Sequence, residues 1–230
     1  MKSNRGFTII ELLIVIAIMA ILATLAIPSY LDFFEKGRLR GATEAVYEQL
    51  QYARSQSLKK STPIIVDFSA NGTTTWALGI TDDSECWALA DPSTCATWGC
   101  DATITSSATA NACVIEYDND RTVDYDGDGN PTDPVLMQLA STDFQNITMK
   151  GSGGTAPSFG TAAGPGACAT VLSKQACFEP IQGLSRSTTG HIQLKSSNNT
   201  YTLQVEVDAV GKVKICVPSG AKKFIGYPDC

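Results

Sequence analysis

The sequence concentrates its hard, oxygen-bearing ligands in one stretch, Asp124-Tyr125-Asp126-Gly127-Asp128-Gly129-Asn130-Pro131-Thr132-Asp133. Carboxylates at alternate positions followed by a glycine match ligand positions 1, 3 and 5 and the turn-making position 6 of a calcium loop. A tightly curled chain would point Asp124, Asp126 and Asp128 at one hard cation, with the Asn130 carbonyl as a fourth ligand. Val135 stands where a bidentate glutamate usually closes such a loop, so Asp133 or water must complete the shell. No helix of EF-hand character follows. The stretch reads as a free-standing loop for Ca2+; the competing reading is a metal-free acidic turn, because Asp-Gly pairs favour turns by themselves.

Sulfur is the second source of chemistry. The eight cysteines are Cys86, Cys95, Cys100, Cys113, Cys168, Cys177, Cys216 and Cys230. An even number, all in the C-terminal two thirds, points to disulfides made in an oxidising compartment. Zinc is the alternative, but there is no Cys-x-x-Cys and His191 is the one histidine. Sequence proximity favours Cys168 with Cys177 and Cys216 with Cys230, leaving the other four to staple the region 86–113.

A bridge from Cys216 to Cys230 would close a loop presenting Lys222, Lys223, Phe224 and Tyr227. Two cations beside two aromatics suit a nucleic-acid strand, through phosphate contact and base stacking. Against this stand a net charge of −6 and the simpler reading of a solvated C-terminal loop. Catalysis has little support. His191 falls in an apparent strand, and no Gly-x-Ser-x-Gly or zinc-protease helix is present, so the expectation is a protein that is not an enzyme and has no catalytic residues.

One carboxylate stands apart from all of these. From Leu12 to Ile27 only Thr24 is not plainly apolar, and with Phe7 to Ile10 the run reaches the roughly 20 residues that cross a bilayer as a helix. Glu11 sits at its front edge. An acidic group inside a span costs about 2.5 to 3.5 kcal/mol on insertion scales, so an intramembrane carboxylate implies function. A secretory signal peptide is excluded by the length of the run and by that charge. Lys2 and Arg5 precede the run while the acidic bulk of the chain follows it, which places the N-terminus in the cytoplasm and the rest outside.

The pattern Gly6-Phe7-Thr8-x-x-Glu11-Leu12, with Pro28 further on, resembles the signal of type IV pilins and related pseudopilins. The resemblance implies that a prepilin peptidase cuts after Gly6 and that Phe7 is then N-methylated. It also implies that the Glu11 carboxylate meets the terminal amine of a neighbouring subunit as a filament grows. Loss of either partner would leave a buried charge unpaired, the costly state. An uncleaved single-span anchor is the alternative.

These residues need elements to position them. Leu39, Ala42, Val46, Leu50 and Ala53 recur at spacings of three and four, so the helix continues past the span to about residue 60 with one apolar face. Pro28 and Gly37 are its weak points. Strand signals follow at residues 63–68 and 73–80, joined by an Asn71-Gly72 turn. Others lie at residues 146–150, 190–195, 201–207 and 212–217. Tyr201, Leu203, Val205 and Val207 alternate with Thr202, Gln204 and Glu206, the pattern of a strand with one buried face. Residues 151–166 are rich in glycine and read as a mobile surface loop; without a following Gly-Lys-Ser/Thr they are not a phosphate loop.

Ala53-Arg54-Ser55 at the helix end, Trp76 to Asp82, Phe178 to Gly183, and Val210-Gly211-Lys212-Val213 leading to Cys216 resemble, in that order, the GspH/FimT-type branch of the pilin-like proteins. The chain departs from a plain member in its eight cysteines and in a polar excursion from Asp82 to about Asp143. The fold class expected is α+β: a pilin-like long N-terminal helix, its first half transmembrane or filament core, packed on an antiparallel β-sheet with disulfide-stapled loops. The expected division is a leader at 1–6, a membrane or filament-core helix at 7–28, an amphipathic helix at 29–60 and a β-rich domain at 61–230.

The function implied is that of a minor type IV pilin near a filament tip. The alternatives are a type II secretion pseudopilin and a pilus-displayed adhesin or DNA-binding module, since some relatives of that branch bind DNA. The partners implied are other pilin or pseudopilin subunits, the prepilin peptidase, an inner-membrane assembly platform and, before assembly, membrane lipid.

The aspartate loop generates its own test. Millimolar calcium should raise the melting temperature of the exterior domain and chelator should lower it, because four carboxylates within ten residues repel one another without an ion. The shift should vanish in Asp126→Ala with Asp128→Ala. A melting curve indifferent to calcium in the unmutated domain would leave these aspartates as a surface turn.

Overall fold

The structure, a computed structural model, describes residues 7–70, 74–82, 113–115, 135–151, 158–159, 175–180, 183–185 and 190–230. One helix, α1, spans Ile9–Lys60 and runs through Pro28 and Gly37 without a break. The chain forms two compact units, parted between Gly37 and Arg38.

In the second unit α1 buries the face that the spacing predicts: Leu39, Ala42, Val46, Leu50 and Ala53 are all fully buried. A buried leucine or valine contributes roughly 1.5–3 kcal/mol over an exposed one, so this stripe binds the helix to what it packs on. On the outer side Arg40 Nε donates to Glu44 Oε1 at 2.8 Å, one turn on. The helix stops where its sequence requires it to. Lys59 and Lys60 occupy the last turn, favourable beside its unpaired carbonyls. Ser61 turns left-handed at φ 53°, and Pro63 cannot extend the helix. The Lys60 ammonium then pairs with Asp82.

The strands are β1 (Ile64–Ala70), β2 (Trp76–Thr81), β3 (Val114–Ile115), β4 (Val135–Leu136), β5 (Gln138–Ala140), β6 (Thr148–Lys150), β7 (Ser158–Phe159), β8 (Gln175–Phe178), β9 (Gly190–Lys195), β10 (Thr202–Val207) and β11 (Val213–Cys216). They form one sheet in the order β5-β2-β1-β8, a second in the order β11-β10-β9-β6 with β7 also on β9, and the small pair β3-β4. All these strand pairs are antiparallel. The predicted hairpin is present, with Ala70 opposite Trp76. The α+β architecture, a helix packed on antiparallel sheets with a disulfide at the C-terminal end, is the one expected.

One core serves both sheets. Ile64, Val66, Phe68, Leu78 and Ile80 of the first join Met149, Ile192, Leu194, Leu203, Val205 and Val207 of the second around the α1 stripe. Phe159 of β7 stacks on Phe68 of β1 with centroids 5.4 Å apart, tying one sheet to the other. Trp76 stacks on Phe144 and donates its Nε1–H to the Ile147 carbonyl at 2.9 Å.

Three expectations need correction. The stretch from Asp82 to about Asp143 is not simply a polar excursion: it supplies β3, β4 and β5, and Cys113 and Ile115 are fully buried. Residues 151–166 are not wholly a surface loop, because Phe159 is buried and paired within a sheet. The alternation in β10 does not leave Thr202 and Gln204 in water; both are buried. Gln204 is enclosed by its neighbours, accepting from Gln193 Nε2 at 2.9 Å and donating to Glu206 Oε1 at 2.6 Å.

Two further contacts lock the edges of the fold. The stem of Arg54 lies against Gly183, Gly211 lies against the Gly183 carbonyl, and Arg54 Nη2 donates to the Val210 carbonyl at 3.3 Å. Gly211 has φ +70°, and a Cβ there would meet the Gly183 oxygen at 1.9 Å. Elsewhere Cys216 and Cys230 are bonded, Cα atoms 5.0 Å apart, as proximity predicted. Within the loop so closed, Val217 N donates to the Pro228 carbonyl at 2.8 Å and Cys230 N to the Val217 carbonyl at 3.0 Å. Phe224 is buried with its ring edge-on to Tyr201 at 5.8 Å. Tyr227 OH donates to Glu44 Oε1 at 2.8 Å, the oxygen that Arg40 also holds. Hydrogen bonds from Arg40 and then from Tyr227 hold the Glu44 carboxyl below the usual carboxylate range. Burial first, and then the bond to Glu44, push the Tyr227 phenol up to about 12.

Gly211→Ala should be strained both by its left-handed backbone and by the carbonyl it meets, costing about 2–4 kcal/mol. In a thermal melt that is a drop on the order of 5–10 °C for a chain of this size. Gly220→Ala, with φ +80° but open space around it, should cost only the backbone part, about 1–2 kcal/mol. Equal shifts for the two variants would mean that the Gly183 contact is not felt.

Tyr227 makes a second prediction. Its phenol is held protonated in the fold, so the stability it contributes is present below about pH 10 and lost as pH rises through its folded value near 12. Tyr227→Phe should cost about 0.5–1.5 kcal/mol at neutral pH and should flatten that alkaline loss. An unfolding free energy that falls just as steeply above pH 10 in the variant would count against the Tyr227–Glu44 tie.

Candidate functional site

Of the residues expected to act at the N-terminal end, Glu11 lies in the first turn of α1, bonded to Thr8. Thr8 precedes the first residue of α1 and acts as its cap: Glu11 N donates to Thr8 Oγ1 at 3.3 Å. In return Glu11 Oε2 accepts from Thr8 N at 3.1 Å and from Thr8 Oγ1 at 3.1 Å. This is a capping box, two otherwise unpaired helix-end donors satisfied reciprocally. Its signature, Thr-x-x-Glu before an apolar run, stands in the sequence at Thr8 and Glu11, where the resemblance to a pilin signal implies for Glu11 only an intermolecular role. Both intrachain bonds use Oε2. Phe7 is exposed, and Gly6 lies outside the described residues.

Behind the box, the side chains from Ile9 to Leu22 are exposed on every side of the helix, Leu12, Leu13, Ile16 and Ile18 as well as Ile9, Ile10 and Ile21. A helix apolar all round is normally a buried one, in lipid or among other helices. Among the described residues no helix is long and apolar enough to cross a membrane.

On the second sheet a row of polar groups crosses three strands. Gln193 of β9 donates to Gln204 of β10, Gln204 donates to Glu206, and Lys214 of β11 lies 2.7 Å from Glu206 Oε2. His191 stands directly across from Glu206 in register. Burial raises the Glu206 pKa, but hydrogen bonds from Lys214 and Gln204 outweigh it and hold the carboxyl below its ordinary value. Glu206, Cys216 and Cys230 bring their ligand atoms within 4.8 Å of one another. The two sulfurs are bonded to each other, so they are not thiolates and the trio lacks the donor set of a zinc site.

The C-terminal loop does not present what the sequence suggested. Phe224 is buried against Tyr201, Tyr227 is committed to Glu44, and Lys222 Nζ lies 4.6 Å from the centroid of the Tyr201 ring. The aromatics needed to stack on bases are packed inward. Lys223 is exposed, and so is Ile225, at 97%.

Asp124, Asp126, Asp128, Asn130 and Asp133 lie outside the described residues, as do Cys86, Cys95, Cys100 and Cys168. The residues flanking the segment 116–134 that contains the aspartates are described: Ile115 of β3 pairs with Val135 of β4. Val135, at the position of the missing bidentate glutamate, is therefore a strand residue. Cys113 and Cys177 are disulfide-bonded as well; the cysteines they join lie outside the described residues.

Comparison with known proteins matches two parts of the chain. Residues 1–27 match the prokaryotic N-terminal methylation motif, and residues 42–156 match the family of type II transport protein GspH. A fimbrial protein of Pseudomonas aeruginosa is 36% identical over 84 residues, covering 36% of this chain and 53% of the relative. Fimbrial protein Q of Moraxella bovis is 53% identical over 38 residues, or 16% of this chain and 24% of the relative. Type II secretion system protein H of Xanthomonas campestris pv. campestris is 37% identical over 62 residues, 27% of this chain and 37% of the relative. The chain spans about half the length of the Pseudomonas relative and less of the other two. No solved structure matches it. With a methylation motif leading into an apolar helix, and the helix-on-sheet domain behind it matched over half the chain, the chain belongs to the GspH family of type IV pilin-like proteins.

Proposed function

We propose that this chain is a structural subunit of an extracytoplasmic filament, a minor type IV pilin, and not an enzyme. In this reading it is made as a prepilin held in the inner membrane with its N-terminus in the cytoplasm, cut after Gly6, methylated at Phe7 and passed by an assembly platform into the filament. The observation that carries the proposal is the start of α1. A carboxylate stands at the head of a helix apolar on every side, with Oε2 bound to its own cap. The other oxygen, Oε1, takes no part in those two bonds, and in this proposal it accepts the terminal amine of a second subunit while the cap is kept, so one side chain begins its own helix and neutralises a neighbour's end. A position near the tip fits a domain with a long insertion at residues 82–143, which meets no subunit above it there. Calcium at the aspartate loop belongs to the same proposal; the observation behind it is the alternate carboxylates of the sequence, Asp124, Asp126 and Asp128, in a segment whose flanking residues Ile115 and Val135 are paired.

The match to a type II transport family and the likeness to a type II secretion system protein H favour a second reading, a pseudopilin serving protein export. Deletion of the gene separates the two: loss of twitching and of filaments supports the pilin, whereas loss of protein secretion with filaments intact supports the pseudopilin.

Two substitutions test the subunit itself. Gly6→Leu should leave the leader attached and the protein in the inner membrane, because the peptidase must fit a small residue before the cut. Mature protein that begins anywhere except at an N-methylated Phe7 would defeat the processing step. Glu11→Gln should keep the capping box, since glutamine serves at that position, yet remove the charge. If charge neutralisation drives assembly, the variant should insert and be cut normally but enter sheared filaments many-fold less; normal incorporation would confine Glu11 to capping its own helix.

A further inference from the structure

One apolar surface in the first unit is left unexplained by the carboxylate chemistry. Where the apolar run ends, Tyr30, Phe33 and Phe34 are 63%, 70% and 42% exposed. They form one continuous aromatic surface. Tyr30 and Phe34, a turn apart, meet edge-to-face with centroids 4.5 Å apart, and Phe33 meets Phe34 at 6.1 Å. Gly37 follows one turn beyond, with open space where a side chain would be. Around the aromatics the chain turns polar at once, with Asp32 paired to Lys36 at 2.7 Å and Glu35 and Arg38 alongside.

We propose that Tyr30, Phe33 and Phe34 are an interfacial anchor that sits among the lipid headgroups on the exterior face of the inner membrane and fixes the depth of the chain before assembly. This rests on the membrane-held precursor of the preceding section. Three large rings in water are unfavourable, and buried in the acyl core they would drag the Asp32–Lys36 pair and Glu35 with them, at the cost of intramembrane charge. The headgroup layer satisfies both demands, which is why aromatic rings collect there. The spacing agrees. Phe7 to Tyr30 measures about 35 Å along a helix at about 1.5 Å per residue, against a hydrocarbon core of about 30 Å. With Phe7 at the cytoplasmic boundary, the rings emerge where the acyl chains end. Lys36 then reaches the phosphates with its long stem.

The test uses the full chain in lipid nanodiscs, with 4-fluorophenylalanine placed at one position at a time: Phe33, Phe34, Ile16 within the apolar run, and Ile225 as a water-exposed control. Fluorine relaxation is read with nitroxide lipids labelled either at the headgroup or at the acyl-chain end. At Phe33 and Phe34 the headgroup label should enhance relaxation several-fold more than the chain-end label, with the order reversed at Ile16 and neither label acting at Ile225. If Ile16 responds to the chain-end label while Phe33 and Phe34 behave like Ile225, the chain is membrane-held but the anchor is absent. If Ile16 responds to neither label, the membrane-held precursor fails and the anchor with it. Resonances at Phe33 and Phe34 that change with protein concentration but not with labelled lipid would show that a second copy covers this surface, and would overturn the lipid assignment.

Discussion

The fold of the second unit depends on a single stripe of side chains. Leu39, Ala42, Val46, Leu50 and Ala53, spaced for one face of α1, are the common ground on which both antiparallel sheets meet. Removing the stripe would leave two sheets, each with one apolar face and nothing to cover it. The strands could still pair, but small sheets are not stable without a covered face. The remaining ties act on a core that the stripe has already assembled: Phe159 on Phe68 between the sheets, Arg54 among the glycines, Tyr227 on Glu44.

The same helix solves opposite problems in its two halves. In the second unit it is amphipathic, with Arg40 and Glu44 outside and aliphatic residues inside, which suits a protein interior on one side and water on the other. In the first unit it is apolar all round, so it has no inside of its own and takes one from lipid or from other helices. Glu11 is the exception in this half, since its carboxylate closes the helix end with Thr8 and satisfies a backbone donor that the helix leaves unpaired.

What the sequence made legible was whatever rests on local periodicity. The α1 stripe was readable from spacings of three and four, the β1–β2 hairpin from its turn residues, and β9, β10 and β11 from β-branched alternation. The Cys216–Cys230 bridge was readable from nearness alone. Strands that owe their existence to a partner were missed. Gln138–Ala140 is a strand because β2 offers it an edge, and Gln175–Phe178 because β1 does; neither stretch is long enough to announce a period. Direction was illegible too. Lys222, Lys223, Phe224 and Tyr227 were identified correctly by type, but composition does not say that the two rings turn in toward Tyr201 and Glu44. At the N-terminal end the cap signal is masked by overlap, because Thr8 and Glu11 belong at once to the processing motif and to the Thr-x-x-Glu pattern of a helix cap.

The Arg54 contacts have a mechanical reading. Gly183 and Gly211 lie so close that only hydrogen separates them from a clash, with the Arg54 stem on one glycine and its guanidinium on the Val210 carbonyl. The arrangement is a detent. Sliding α1 along its axis by one turn, about 5.4 Å, would carry the arginine off its glycine seat and break that hydrogen bond, while the leucine and valine contacts of the stripe could re-form one turn along. Hydrophobic packing is tolerant of such slippage; a side chain seated on a glycine is not. A subunit loaded lengthwise through its helix would thus keep its register by virtue of two missing side chains.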